Sequence, residues 1–421
     1  MPKTILILGG SYTGISTAHY TLKHILPSLP STETDSYQVV LVSSSTTLFC
    51  RPASPRALIA DTYFDQSKLF VPLESQFTQY DEKSFKFIHG QARTLDHENR
   101  TVTVSMIADK PARQSESEPS ELQIEYHALI IGTGSSTPSP LLSLNSDDKE
   151  EIKAQWQTFR TALPSAKTIV IAGGGPAGVE TAGELGEHLN GRAGWFSAKH
   201  SDPNVKISVV TSASEILPYL RPEIARGAEG FLAKVGVEVI KNVKVESVSP
   251  SHAGRKEDVA AKAEVRLSNG QTMHADLYIP AYGMNPNTEF VEQSLKTGDG
   301  RVATNPQTLR VDKAGPRVYA AGDASDYARP AIHILTEAIP VLCANLKRDL
   351  LVDAGQTVSG EDRLFTADSS ETQLVPIGQG KGVGAAKGWK VPSFLVWLIK
   401  GRDYWVGMVG GTWSGKQVAK A

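Results

Sequence analysis

Two glycine-rich turns constrain this chain more than any other feature: GGSYTG at Gly9 to Gly14 and GGGPAGVE at Gly173 to Glu180. Each follows a run of apolar, largely β-branched residues, Thr4 to Leu8 (TILIL) and Thr168 to Ala172 (TIVIA). Each leads into a helical pattern, Ile15 to Leu22 and Val179 to Leu189. In such a unit the first Gly permits the turn, the second removes a Cβ where a pyrophosphate must approach, and the third lets helix pack on strand. The helix N-terminus then offers free N–H groups and partial positive charge to the phosphates. One turn of this kind points to one nucleotide, and two point to a chain that holds two dinucleotides.

The two turns are unequal. The second keeps Gly173, Gly175 and Gly178 in register around Pro176 and Ala177. The first has Gly9, Gly10 and Gly14 but places Ser11 in the middle, followed by Tyr12 and Thr13. Ser11 brings a hydroxyl that can donate to a phosphate and a Cβ that narrows its approach. The next strand of each unit, Val39 to Val42 and Val205 to Val210, ends in Ser43 to Ser45 and in Thr211 and Ser212, where an acid usually accepts ribose hydroxyls. Without an acid at Thr211 the 2′-phosphate of NADP meets no repulsion, and Arg221 or Arg226 can approach it; a solvated loop is the alternative. The expectation is that NADPH serves at least as readily as NADH.

Composition narrows the class. At 421 residues, 40% apolar and 21% charged, the chain has material for two or three globular domains. The balance of 43 basic against 45 acidic residues gives no whole-chain field to attract nucleic acid. Cys50 and Cys343 are too few for a disulfide framework and suit a reducing compartment. Cys50 reads as structural, because reactivity needs a depressed pKa. No apolar run approaches the roughly 18 to 20 residues that span a bilayer. The first strand starts by Thr4, leaving no room for a signal or transit peptide, and Pro2 stands where N-myristoylation needs glycine. A cytoplasmic protein is expected, with peripheral contact at a membrane left open. The ten His show no metal-ligand spacing, so no metal is assigned.

Along the chain, Asp109 to Glu121 is a polar stretch between strand-like runs at Thr101 to Met106 and Leu122 to Tyr126, and reads as a long hairpin loop. Val243 to Val248, Ala263 to Leu267 and Thr272 to Ala275 read as a meander with its last turn at Asn269-Gly270. From Arg317 the chain returns to strand chemistry, which suggests a first domain interrupted by the second. The expected architecture is α/β: one dinucleotide-binding domain over 1–140 and 302–349, a second inserted over 150–301, and a C-terminal α+β segment over 350–421.

Three more stretches resemble a known family: HALIIGTGSSTP (His127 to Pro138), AYGMNPNT (Ala281 to Thr288) and RVYAAGDAS (Arg317 to Ser325). In order and spacing they are similar to the closing motifs of two-dinucleotide flavoproteins with the glutathione-reductase-like pair of Rossmann domains. The stretches CRPASPRAL (Cys50 to Leu58), LVPIGQGKGVGAAKGW and VWLIKGRDYW resemble the apoptosis-inducing-factor-like branch that includes the ferroptosis suppressors. That resemblance implies FAD in the first domain and NADH or NADPH in the second. It also implies electron transfer to a quinone or another small-molecule acceptor, by a monomer or homodimer.

For single residues the resemblance puts Thr133, Gly134, Gly322 and Asp323 on FAD, Asp323 on its ribityl chain, and Gly283 at the nicotinamide end. It sets Arg51 or Arg56 against the flavin and the Ala92 backbone against the adenine. Lys400 to Trp405 falls near the flavin or quinone. Glu180 is implied beside nicotinamide and flavin with Arg56 as its candidate partner, so Glu180, Arg56 and Lys400 form the expected catalytic set. Glu184 reads as complementing the helix dipole. Pro392 to Trp405 reads as core or flavin cap in preference to a membrane-surface segment, and the branch's lipid anchor is missing. Two other functions stay open: oxidoreduction of a specialised small metabolite, and a slow-turnover redox-sensing or death-effector flavoprotein.

Overall fold

The structure is a computed structural model, and it describes residues 2–30, 36–108, 120–144 and 149–418. The strand Lys3–Leu8 lies inside a seven-stranded sheet, parallel to Tyr37–Ser43 on one side and to Ala128–Ile131 on the other. Helices cover one face of it and chain segments the other, which is why its inner strands are continuous apolar runs instead of alternating ones. Burying each such Val, Leu or Ile side chain contributes about 1.5–3 kcal/mol. The sheet order is Val318–Ala320, Ala128–Ile131, Lys3–Leu8, Tyr37–Ser43, Phe85–Asp96, Thr101–Met106, Glu121–Glu125. The last three strands are antiparallel, so the flanks of the expected hairpin do pair; its loop, 109–119, lies outside the described residues.

The second sheet has the same parallel plan: Val237–Ile240, Lys206–Val210, Thr168–Ala172, Leu277–Pro280. An antiparallel meander of Val245–Ser249, Ala263–Leu267 and Thr272–Ala275 accompanies it, turning at Asn269-Gly270 with Gly270 N–H donating to Leu267 O at 2.9 Å. The strand Val318–Ala320, which follows this whole unit in sequence, pairs back onto Ala128–Ile131 in the first sheet.

Helix Tyr12–Tyr20 starts earlier than its apolar period suggests and continues through Thr21–Ile25 as a wider turn. Helix Pro176–Asn190 follows the second turn. The 22-residue helix Ile332–Asp353 packs on the first of these. Beyond it come antiparallel strands Gln373–Pro376, Gly382–Ala386 and Trp389–Lys390, then a helical stretch Ser393–Val396 continuing as Trp397–Gly401, then helix Val406–Trp413. The tail is fastened to the first helical stretch: His19 Nε2 lies 2.8 Å from Trp413 O, Lys23 Nζ donates to Gly415 O, and His24 Nε2 lies 2.6 Å from Val418 O. Among the described residues no helix is long and apolar enough to cross a membrane.

Candidate active site between the two glycine turns

Both turns are built by close approach. Gly9 (φ +107°) and Gly173 (φ +124°) adopt a backbone that L side chains rarely take, and a Cβ on either would stand 2.3 Å from a carbonyl oxygen, of Gly132 and of Ala281. A Cβ on Gly14 would fall 1.8 Å from Gly9 O, and one on Gly178 2.0 Å from Gly173 O. Gly10 sits against the Ser43 side chain as Gly174 sits against Thr211. The middle position differs: a Cβ on Gly175 would meet nothing within 4 Å, and there the first turn carries Ser11. No side chain caps either helix start, so both present main-chain N–H groups to the space beyond.

That space is one cavity of about 1160 Å³, larger than the roughly 300–1,000 Å³ of a drug-sized ligand site. Of the residues expected from the sequence, Gly9, Gly10, Ser11, Tyr12, Thr13, Ser43, Arg51, Ala92, Thr133, Gly134, Gly175, Pro176, Ala177, Glu180, Gly283, Gly322, Asp323 and Lys400 line it. Gly14, Gly173 and Gly178 do not; they lie under the turns, where helix meets strand. Thr211 is also off the wall, buried, with its hydroxyl accepting from Ala213 N–H. Arg221, one candidate for a 2′-phosphate, is engaged by Glu371 at 2.8 Å and by Gly388 O, while Arg226 is exposed.

At one end of the cavity Asp323 accepts from Ser135 Oγ at 2.7 Å and lies 3.5 Å from Arg51 Nη1, which also reaches Ser135 O. Thr133 and Asn287 exchange hydrogen bonds: Thr133 Oγ1 donates to Asn287 O, and Asn287 Nδ2 donates to Thr133 O. Through this exchange and the short pairing of Ser135–Ser136 with Asn285–Pro286, the turn closing the first unit is tied to the turn closing the second. Ser135 and Asn287 stand inside the recognised motifs, but their role as a tie was not visible in them. Arg329, stacked on Tyr219 at 5.1 Å and donating to Thr372 O, also lines the cavity and carried no sequence signal.

The expected pairing of Arg56 with Glu180 is wrong. Arg56 is bidentate to Glu184, Nε to Oε2 at 2.9 Å and Nη2 to Oε1 at 2.7 Å, behind the cavity wall. Its Nη1 donates to Gly401 O and its guanidinium lies over the Tyr404 ring, whose hydroxyl donates to Glu184 Oε1 at 2.9 Å. Glu184 is therefore one member of a buried ion pair and not a surface complement to the helix dipole.

Glu180 instead accepts from Lys400 Nζ at 2.6 Å, and both are buried at 3% and 7% exposure in the cavity wall. Burial pushes the Glu180 carboxyl up to about 7, against the opposing pull of the Lys400 ammonium. Lys400 also donates to Leu374 O and lies 5.0 Å from the Trp405 ring centroid. The segment expected to be core or cap divides: Lys400 and Trp405 face the cavity and Val396 is buried, but Phe394, Leu398 and Ile399 are exposed.

Cys50 is buried beneath the wall, 3.9 Å from Tyr12 Oη, and burial raises its thiol to about 12, far from the thiolate that redox exchange requires. Cys343 is free and buried in helix Ile332–Asp353.

Residues 3–340 match a family described as pyridine nucleotide-disulphide oxidoreductase. The chain is 54% identical over 419 residues, 99% of its own length and 97% of the relative's, to Oxidoreductase phnG of Penicillium herquei. It is 22% identical over 407 residues to Ferroptosis suppressor protein 1 of Xenopus tropicalis, covering 96% of this chain and 93% of that one. Among solved structures, NDH2 from Plasmodium falciparum in complex with NADH superposes with a TM-score of 0.65, 14% identity, and coverage of 98% and 99%, a likeness of fold.

Proposed function

The chain belongs to the pyridine nucleotide-disulphide oxidoreductase family, and from that premise we propose an FAD-dependent NAD(P)H oxidoreductase whose electron acceptor is a quinone. The observation that carries this reading is the single cavity lined by both glycine turns, with the Glu180–Lys400 pair in its wall. The residues fit two dinucleotides: at both turns a Cβ is excluded by backbone, and both helix starts are without side-chain caps. Gly9 to Thr13 and Asp323 would hold FAD, and Gly175 to Ala177 with Gly283 would hold the nicotinamide nucleotide.

Bound FAD supplies the two-electron relay between nicotinamide and acceptor. The chain supplies position, dryness and protons. The Thr133–Asn287 exchange fixes the two halves relative to each other, which is what bringing donor and acceptor within roughly 3–3.5 Å demands. Reduction of a quinone to a hydroquinone takes up one solvent proton in addition to the hydride. Glu180, accepting from Lys400 Nζ in the wall, is placed to hold that proton, and a carboxyl near 7 is matched to the task. The two buried cysteines are not a redox pair, so the disulphide chemistry in the family's description is not carried by this chain's own thiols.

Support for a quinone comes from the resemblance to the ferroptosis suppressors at low identity. A second reading, a specialised small metabolite as acceptor, is favoured by the much higher identity to a relative named only as an oxidoreductase. The test is anaerobic reduction of purified protein by NADH and by NADPH in parallel, then reoxidation by quinone, oxygen or disulfide. Rapid reoxidation by quinone is expected. NADPH should serve at least as well as NADH, and a preference for NADH of about a hundredfold, equal to about 2.7 kcal/mol, would defeat that part. A colourless protein that cannot be reconstituted with FAD would end the whole reading.

A further inference from the structure

Lys400 and Arg329 hold the same strand edge. Gln373–Pro376 is the outer strand of its three-stranded sheet, and carbonyls two residues apart on an extended chain point to one side, roughly 6.6 Å from each other. Lys400 Nζ donates to Leu374 O, and Arg329 Nη2 donates to Thr372 O, just before the strand. Both side chains line the cavity, so Arg329 stands one strand step from the Glu180–Lys400 pair.

The two cations differ in what answers their charge. Lys400 has Glu180 at 2.6 Å. Among the described residues Arg329 has no carboxylate within 4 Å, because the acids around it are engaged elsewhere. Asp323 lies 3.5 Å from Arg51, Asp299 2.6 Å from Arg301 and Glu371 2.8 Å from Arg221. Asp326 accepts from Thr304 N–H and Asp368 from Ser370 N–H, while Glu289 and Glu337 are exposed to water. The remaining contacts of Arg329 are neutral: His333 Nε2 at 3.5 Å, whose pKa burial lowers, and the Tyr219 ring at 5.1 Å. Only Nη2 is engaged, which leaves the Nε and Nη1 N–H groups for a ligand. A guanidinium stacked on a ring can still give its edge to an oxyanion. Tyr219, Tyr282 and Met284, all on the cavity wall, are 55%, 43% and 50% exposed and form an apolar rim. A side pocket of about 490 Å³ shares Tyr219, Met284 and Arg329 with the main cavity.

We propose that Arg329 recognises an acid group on the electron acceptor, an aromatic quinone-type ring that carries a carboxylate or an ionised hydroxyl. The ring lies against Tyr219, Tyr282 and Met284 and is the part that is reduced. The acid is a handle, and no covalent bond to it forms or breaks. The inference rests on the quinone reading for the ring and adds the charge.

Binding without turnover tests the subsite apart from that reading. The FAD-loaded full chain is titrated by calorimetry with 2-naphthoate and with 2-naphthamide, which share a ring and differ in charge. Wild type should bind the acid about tenfold or more tightly, Arg329→Met should bring the two probes within about threefold, and Arg329→Lys should keep part of the preference. In turnover, a benzoquinone with a carboxylate side chain should exceed its amide about tenfold in kcat/KM, through KM, and Arg329→Met should remove that difference. Equal affinity for the two probes in wild type, or a preference that survives Arg329→Met, would overturn the inference. So would an Arg329→Met chain whose KM rises for NADPH and not for NADH, since the cation would then belong to the 2′-phosphate. If the naphthoate preference depends on Arg329 while no quinone reoxidises the flavin, the acid handle is supported and the quinone reading alone fails.

Discussion

The two strand, turn and helix units are the same construction used for different work. Gly9 and Gly173, Gly10 and Gly174, Gly14 and Gly178 meet equivalent neighbours at nearly equal distances. One turn on, Thr17 Oγ1 donates to Thr13 O at 2.8 Å and Thr181 Oγ1 to Ala177 O at 2.7 Å, and Ala18 and Ala182 are both fully buried. The units diverge where their helices face the rest of the molecule. The first has Ser16 and Tyr20; the second has Glu180 and Glu184, each buried and each paired with a cation from another segment. Backbone geometry is thus repeated wherever a pyrophosphate must be approached, and side chains differ wherever chemistry and assembly are added.

The largest expected effect breaks the repeat in one half at a time. In Gly14→Ala or Gly178→Ala a methyl would overlap a backbone oxygen, which cannot be relieved by a side-chain rotation, and each should destabilise by about 3 kcal/mol or more. If the halves serve separate cofactors, Gly14→Ala should lose flavin absorbance, while Gly178→Ala should keep it and lose reduction by NAD(P)H in stopped flow. Loss of flavin in both variants would remove the distinction.

A middle effect concerns the carboxylate present in only one half. Because Glu180 titrates near 7 in the folded chain and near 4.5 when unfolded, the folded state holds the extra proton between those values, so stability falls as pH rises through that window. Glu180→Gln should flatten this slope, by about 3 kcal/mol between pH 4.5 and 7, and should remove any inflection near pH 7 from the rate of acceptor reduction. Urea unfolding at a series of pH values measures the first, and a slope unchanged by the substitution would show that Glu180 is not the group responsible.

The smallest effect comes from exchanging the one turn residue that differs. Space at Gly175 is open, so Gly175→Ser should cost under about 1 kcal/mol in stability yet raise the KM for nicotinamide nucleotide about tenfold by crowding the phosphates. Ser11→Gly should change flavin affinity by about threefold or less. Titration calorimetry and initial rates decide; a Gly175→Ser chain that binds nucleotide like wild type would mean that the turns are interchangeable.

What was legible in the sequence was whatever the backbone dictates. The glycines, the apolar strands beside them and the Asn269-Gly270 turn are local requirements, and each appears at its position. The partner of Glu180 was not legible, because Lys400 is distant in sequence and the choice between Glu180 and Glu184 depends on where Arg56 arrives in space. Likewise Pro392 to Trp405 carries a mixed apolar and cationic pattern compatible with a buried cap or an exposed face. Only the packing of Val396 against the strand Gly382–Ala386 sets which side chains turn in and which turn out.

The return of Val318–Ala320 to the first sheet governs the order of assembly in a chain made from its N-terminus. The opening glycine turn emerges first, yet its sheet lacks a strand until the whole second unit has been synthesised. The helix behind it gains its last hydrogen bonds only when Trp413 to Val418 arrive. The half made first is the half finished last, so a ribosome stalled beyond Pro280 should carry a complete second parallel sheet beside an incomplete first one.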